Sequence, residues 1–121
     1  MMIKEKRKNR RFDSTNLLSY VCLDENNNEV LQGMGRTLNV GEGGIRLETH
    51  VPIDHQCIVY LTIGMEDDLM SFKGNISYQR NREDGKFELG IEFIDMTDLE
   101  RRFLKQYIVL FTGKEDQGNV M

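Results

Sequence analysis

The sequence predicts a mainly β fold, a six-stranded antiparallel β-barrel with a C-terminal α-helix. Three observations predict it. Short apolar segments recur with period-two alternation, most cleanly from Met70 to Tyr78. Each is bounded by Gly, Asn, Asp or Glu clusters, the punctuation of antiparallel hairpins. Near the end the apolar spacing changes to three and four residues, as an amphipathic helix requires. With 121 residues and 39% apolar content, the chain fills one core. Closing the sheet is the economical way to remove its edges.

The elements follow in order. Residues 1–16 are charged and polar with no apolar period and read as a flexible basic arm, ending in the turn Asp13-Ser14-Thr15-Asn16. Leu17 to Leu23 is apolar and β-prone, the first strand. The turn formers from Asp24 to Glu29 break it. Val30 to Leu38 is the second strand, with Gly33 and Gly35 allowing a bend or a bulge. After Gly41-Glu42-Gly43-Gly44, Ile45 to Glu48 forms a short third strand with Ile45 and Leu47 on one face.

Thr49 to His55 is a connection containing Pro52, the chain's one proline. Gln56 to Ile63 is a strongly apolar fourth strand. Glu66-Asp67-Asp68 marks a turn. In the fifth strand Met70, Phe72, Ile76 and Tyr78 are expected on one face. Asn81 to Gly85 closes a hairpin, and Lys86 to Phe93 returns with Phe87, Leu89, Ile91 and Phe93 aligned. Thr97-Asp98-Leu99-Glu100 has the capping-box form of a helix start. Leu99, Phe103, Tyr107 and Leu110 continue at helical spacing, widened by Leu104, Ile108 and Phe111, and Gly113 is the expected left-handed terminator. The domain is thus 17–113, and residues 114–121 are a frayed tail.

Charge divides the chain unevenly. Six of the 16 Lys and Arg residues (Lys4, Lys6, Arg7, Lys8, Arg10 and Arg11) fall in the first 12 positions, opposed there only by Glu5. The other ten face 19 acidic residues, and the total is −4. A cationic arm on an acidic body suits capture of a particular anion better than general polyanion binding. The longest apolar runs, such as Ile58 to Leu61, are too short to span a membrane. No apolar stretch follows the basic start, as a secretory signal would need. Cys22 and Cys57 lie isolated in strand-like segments and read as reduced core residues. The expectation is a cytoplasmic protein.

Two groups of residues carry candidate chemistry. Arg7 and Arg11 are four apart, and a guanidinium fork grips a phosphate or a guanine edge with two hydrogen bonds or stacks on a purine. Taken alone, the same residues fit a solvated basic tail or a nucleic-acid arm, although the acidic body opposes the latter. Gly41, Gly43 and Gly44 lie between two strands, where positive φ would let successive amides form an anion nest. Asn39 beside them offers acceptor and donors to a purine edge. A ligand-free hairpin turn accounts for the same glycines. No Gly-Lys-Ser/Thr follows, so this is no P-loop. His50 and His55 lack a third metal ligand, the acidic turns lack the EF-hand pattern, and no nucleophile–base set is present. Neither a metal, a cofactor nor catalysis is expected.

Together, Arg7-x-x-x-Arg11-Phe12 and Asn39-x-Gly41-x-x-Gly44 resemble the paired motifs of the PilZ domain, the bacterial receptor for cyclic di-GMP, which read Arg-x-x-x-Arg and Asp/Asn-x-Ser-x-x-Gly. Gly90-Ile91-Glu92-Phe93 also resembles that family's last strand, and the likeness covers residues from about 5 to 111. The resemblance implies that Arg7 and Arg11 clamp phosphate and guanine and that Asn39 bonds a guanine edge. It implies that Gly44 lets the backbone approach the ligand. Lys6, Arg10 and Gly43 are candidate secondary contacts. Gly41 departs from the pattern, standing where the family has Ser. A lost neutral hydroxyl contact is worth about 0.5–1.5 kcal/mol, about threefold to tenfold in affinity, so weakened binding is expected.

The implied function is a cyclic di-GMP receptor that orders its arm on binding and signals through an unidentified protein partner. Two alternatives stand beside it: a PilZ-like adaptor that binds only protein, and a small β-barrel nucleic-acid binder. The apolar surplus from Ile108 to Phe111 leaves room for a homodimer contact.

Overall fold

Each apolar segment read from the sequence is realised as an element, in a computed structural model that describes residues 17–113. The expected arm and tail, 1–16 and 114–121, lie outside the described residues. The strands are β1 (Leu17–Leu23), β2 (Glu29–Val40), β3 (Gly44–Thr49), β4 (Ile58–Met65), β5 (Asp68–Asn81) and β6 (Phe87–Ile94), followed by helix α1 (Asp98–Thr112). They close into a barrel in the order β1-β2-β3-β6-β5-β4, with every neighbouring pair antiparallel.

Alternation fills the interior. Leu18, Tyr20 and Cys22 of β1, Ile45 and Leu47 of β3, Val59, Leu61 and Ile63 of β4, and Leu89 and Ile91 of β6 are buried. Helix α1 plugs this core. Thr97 caps it through a reciprocal box: Glu100 N–H donates to Thr97 Oγ1, and Thr97 N–H donates to Glu100 Oε1, both at 3.1 Å. Gly113 ends it in the left-handed region at φ 67° and donates its N–H to Val109 O. Burial of Phe103, Leu104 and Tyr107 against the barrel, worth about 1.5–3 kcal/mol per large side chain, outweighs the roughly 1 kcal/mol of a cap.

Three expectations change. The helix buries Phe103, Leu104 and Tyr107, but Leu99 and Leu110 are exposed, because the face toward the barrel is narrower than the apolar surface available. β2, β3 and β5 overrun both expected ends, β5 most of all, since polar residues pair as readily as apolar ones once a neighbouring strand is present, whereas β1 keeps its expected bounds and β4 and β6 are shifted toward the C-terminus. Tyr78 does not share the face of Phe72 and Ile76. A register shift between Ile76 and Tyr78 makes Ser77 an extra residue. Tyr78 turns outward, and Gln79 turns in to hold the backbone N–H and C=O of Ile53 at 2.8 and 2.9 Å.

Candidate functional site

The site begins with a second irregularity, on β2. Thr37 is buried, so strict alternation would send Asn39 inward and Val40 outward. A register shift between Thr37 and Asn39 inserts Leu38 as the extra residue. Asn39 is therefore exposed and Val40 buried. The bulge thus lies at Leu38, three residues beyond Gly35 and five beyond Gly33, the glycines expected to permit it. Thr37 is anchored by a 2.9 Å hydrogen bond between its hydroxyl and that of Tyr107 on α1. Asn39 Oδ1 accepts the Val40 N–H at 2.8 Å, which fixes the amide plane and presents its NH2 end as the donor to an incoming acceptor.

Beyond Asn39 the chain reverses through Gly41-Glu42-Gly43-Gly44. The Gly41 N–H donates to Gly44 O at 2.9 Å, and the Phe93 N–H of β6 donates to Gly43 O at 3.0 Å. None of Gly41, Gly43 and Gly44 adopts a left-handed φ; among the described glycines only Gly85 and Gly113 do. The expected alternating-handed amide nest is therefore absent. The two backbone bonds hold this reversal without it, and the Gly41 amide is spent within the hairpin. Gly44 has a packing reason for lacking a side chain, because a Cβ there would collide with the backbone carbonyl of Ile91. A Cβ on Gly41 or on Gly43 meets nothing within 4 Å.

These residues meet at an open pocket of about 170 Å³ lined by Asn39, Val40, Gly41, Gly44, Ile45 and Arg46. Three sequence-predicted residues, Asn39, Gly41 and Gly44, are thus brought together. Gly43 is exposed beside them with its carbonyl tied to β6. Lys6, Arg7, Arg10 and Arg11 lie outside the described residues. Arg46 was not anticipated. The signal was present, because alternation with Ile45 and Leu47 places it on the outer face, two residues past Gly44.

Arg46 belongs to an ionic face spread over β2, β3, β6 and β5. Two nearly buried carboxylates organise it. Glu48 accepts from Arg36 Nε at 3.0 Å and Arg36 Nη2 at 3.2 Å, and also pairs with Arg82. Glu88 accepts from the Tyr78 hydroxyl at 2.8 Å and Arg80 Nη2 at 3.3 Å, and pairs with Arg46 Nη1 at 3.6 Å. The Arg36 hydrogen bond holds Glu48 below the usual carboxylate range, and the Tyr78 hydrogen bond does the same for Glu88. Tyr78 titrates higher than a free phenol, first because of burial and then because of Glu88.

Elsewhere, Cys22 and Cys57 are buried and free, and burial pushes the Cys22 thiol up to about 12. Among the described residues there is no cluster of three or more His, Cys, Asp and Glu suited to a metal. No described helix is long and apolar enough to cross a membrane.

Comparisons with known proteins agree with this fold. The family model of the PilZ domain matches residues 5–110. The fold is similar to that of K. pneumonia MrkH in its apo state, with a TM-score of 0.57 and 10% identity over 84% of this chain and 49% of that one. It is also similar to the PilZ domain of YcgR from Escherichia coli with c-di-GMP, at TM-score 0.53 and 11% identity, covering 84% and 87% of the two chains. The PilZ domain of CeSA from a cellulose-synthesizing bacterium gives TM-score 0.50 and 17% identity, covering 84% and 95%. The chain therefore spans about half of MrkH but most of the two isolated PilZ domains. At these identities the likeness speaks for the fold. A search of curated protein sequences gives no significant match.

Proposed function

Because this chain belongs to the PilZ domain family, we propose that it is a receptor for cyclic di-GMP that closes its N-terminal arm over the bound ligand and signals through a protein partner. The observation that carries this reading is the position of the Asn39–Gly44 bend relative to the start of β1. Leu17 pairs with Arg36, and β2 runs on from there to Asn39, three residues and about 10 Å further. The chain therefore enters β1 from the end at which β2 reaches the pocket. Arg11 stands six residues before Leu17, a reach of up to about 20 Å, and Arg7 ten residues before it, up to about 33 Å. Both guanidiniums are within range of Asn39.

The size of the pocket supports the same arrangement. Sites that enclose a drug-sized ligand measure about 300–1,000 Å³, and this one is about 170 Å³. A cyclic dinucleotide needs a second wall, which the arm would supply. Arg7 and Arg11 would hold phosphate and guanine, and the Asn39 amide would meet a guanine acceptor. Lys6 and Arg10 would add attraction and secondary contacts, with Gly43 beside them. Ordering of the arm would create the surface that a downstream protein reads.

Isothermal titration against cyclic di-GMP and other cyclic dinucleotides at physiological salt tests this. Binding is expected with the guanine dinucleotide, and Arg11→Ala should weaken it at least tenfold with little change in melting temperature. Absence of heat at tens of micromolar would favour a protein-only adaptor. Steeply salt-dependent binding to oligonucleotides, without preference for the cyclic ligand, would favour a nucleic-acid binder.

A further inference from the structure

Four arginines stand on the outer face of the barrel, and one of them lines the pocket. Arg46 sits opposite Asn39 in the β2–β3 register and shares the pocket with Asn39, Gly41 and Gly44. Its side chain is 46% exposed. The arginine is also loosely committed. Its separation from Glu88 is 3.6 Å, beyond ordinary hydrogen-bond length, and Glu88 already accepts from Tyr78 and Arg80. Arg36, by contrast, grips Glu48 with two hydrogen bonds. Swinging Arg46 toward a ligand would leave Glu88 hydrogen-bonded.

The rest of the rim gives such a group a task. Exposed Glu42 lies in the bend, and exposed Glu92 stands opposite Gly44 on β6. A doubly anionic ligand meets these carboxylates on its way to Asn39. Gly41 contributes no side-chain donor.

We propose that Arg46 is the barrel's own ligand-gripping residue: its guanidinium donates to a phosphate or guanine edge of the ligand and supplies the donor that Gly41 lacks. This rests on the receptor reading above. A guanidinium fork is suited to either acceptor, and the contact opposes the repulsion from Glu42 and Glu92. Arg46 then belongs to the part of the site that is built on the barrel.

Calorimetric titration of the full chain with cyclic di-GMP, wild type against Arg46→Ala, Arg46→Lys and Arg80→Ala, tests the assignment. Arg46→Ala is expected to weaken binding at least tenfold, and Arg46→Lys by less, because an ammonium keeps the charge without the fork. Arg80→Ala, which removes an equal charge from the same face outside the pocket, should change affinity less than threefold. In a Gly41→Ser background the loss from Arg46→Ala should shrink, since the new hydroxyl and the guanidinium serve the same part of the ligand. Equal binding by wild type and Arg46→Ala overturns the assignment and leaves the receptor reading standing. Equal losses from Arg46→Ala and Arg80→Ala also overturn it, in favour of a diffuse field. A wild-type chain that binds no cyclic di-GMP overturns both.

Discussion

Replacing Gly41 with Ser restores the hydroxyl that the family pattern carries, and the geometry makes the outcome calculable. No atom lies within 4 Å of the place a Cβ would take. The residue has no left-handed φ, so an L side chain enters without backbone strain. Gly41 itself lines the pocket with Asn39, Gly44 and Arg46. One neutral hydrogen bond is worth about 0.5–1.5 kcal/mol net, so cyclic di-GMP should bind about threefold to tenfold more tightly. A second effect accompanies it. Removing glycine's freedom from the unfolded chain stabilises a compatible site by about 0.4–1 kcal/mol, a few degrees in melting temperature. Gly41→Ala separates the two effects, because it shares the entropy change and lacks the hydroxyl. Titration calorimetry and thermal denaturation of the three proteins give both quantities. If the Ser protein is stabilised like the Ala protein but binds no more tightly, the hydroxyl does not reach the ligand. The assignment of position 41 to the site is then wrong.

Gly44→Ala should lower stability by about 1–3 kcal/mol in urea denaturation, since its Cβ meets the fixed carbonyl of Ile91 and not a side chain that can turn away. Tyr107→Phe removes a partner from the buried Thr37 hydroxyl and should cost about 1–3 kcal/mol, measured the same way. Acid should also loosen the barrel. Glu48 and Glu88 have folded pKa values lowered by Arg36 and Tyr78 respectively, so their contribution is complete above the unfolded value of about 4.3 and is lost as pH falls through the folded values. Chemical denaturation from pH 3 to 7 should show a shallower acid loss for the Glu48→Gln, Glu88→Gln protein than for wild type, with a remainder from Asp24 and Asp84, which are also lowered. Parallel curves would contradict the role given to these two carboxylates.

Period-two alternation and turn chemistry carried most of the fold in the sequence, because a barrel strand buries every second residue and its hairpins need polar or flexible residues. The helix start was equally legible in Thr97 and Glu100, whose side chains act within one turn. Where reading failed, the deciding contact was remote in sequence. Tyr78 looks like a core residue at its period-two position, but Ser77 is unpaired against β6, and that depends on residues 87 to 94. Gly44 carries two possible meanings, turn glycine or close approach, and only the neighbouring Ile91 carbonyl decides for the second. Arg46 does not stand out in the sequence, because one arginine in an alternating strand is ordinary. It becomes notable through Asn39 opposite and Glu88 on the next strand.

The register shifts at Leu38 and Ser77 have a common effect that bears on how such a site is built. A strand that alternates without fault presents one continuous outer row, and in β2 that row would end with Val40 outward and Asn39 hidden. The added residue at Leu38 reverses this at the last two positions alone, keeping Arg36 outward and Thr37 inward. The outer row therefore delivers Asn39 to the rim while Val40 helps floor the pocket. On β5 the added Ser77 does the same for Tyr78, which is turned onto Glu88 of the ionic face. One bulge thus exposes the Asn39 amide at the pocket, and the other brings the Tyr78 hydroxyl onto Glu88, which also pairs with Arg46 at 3.6 Å. If Arg46 is to move toward a ligand, Tyr78 and Arg80 keep Glu88 hydrogen-bonded when it leaves.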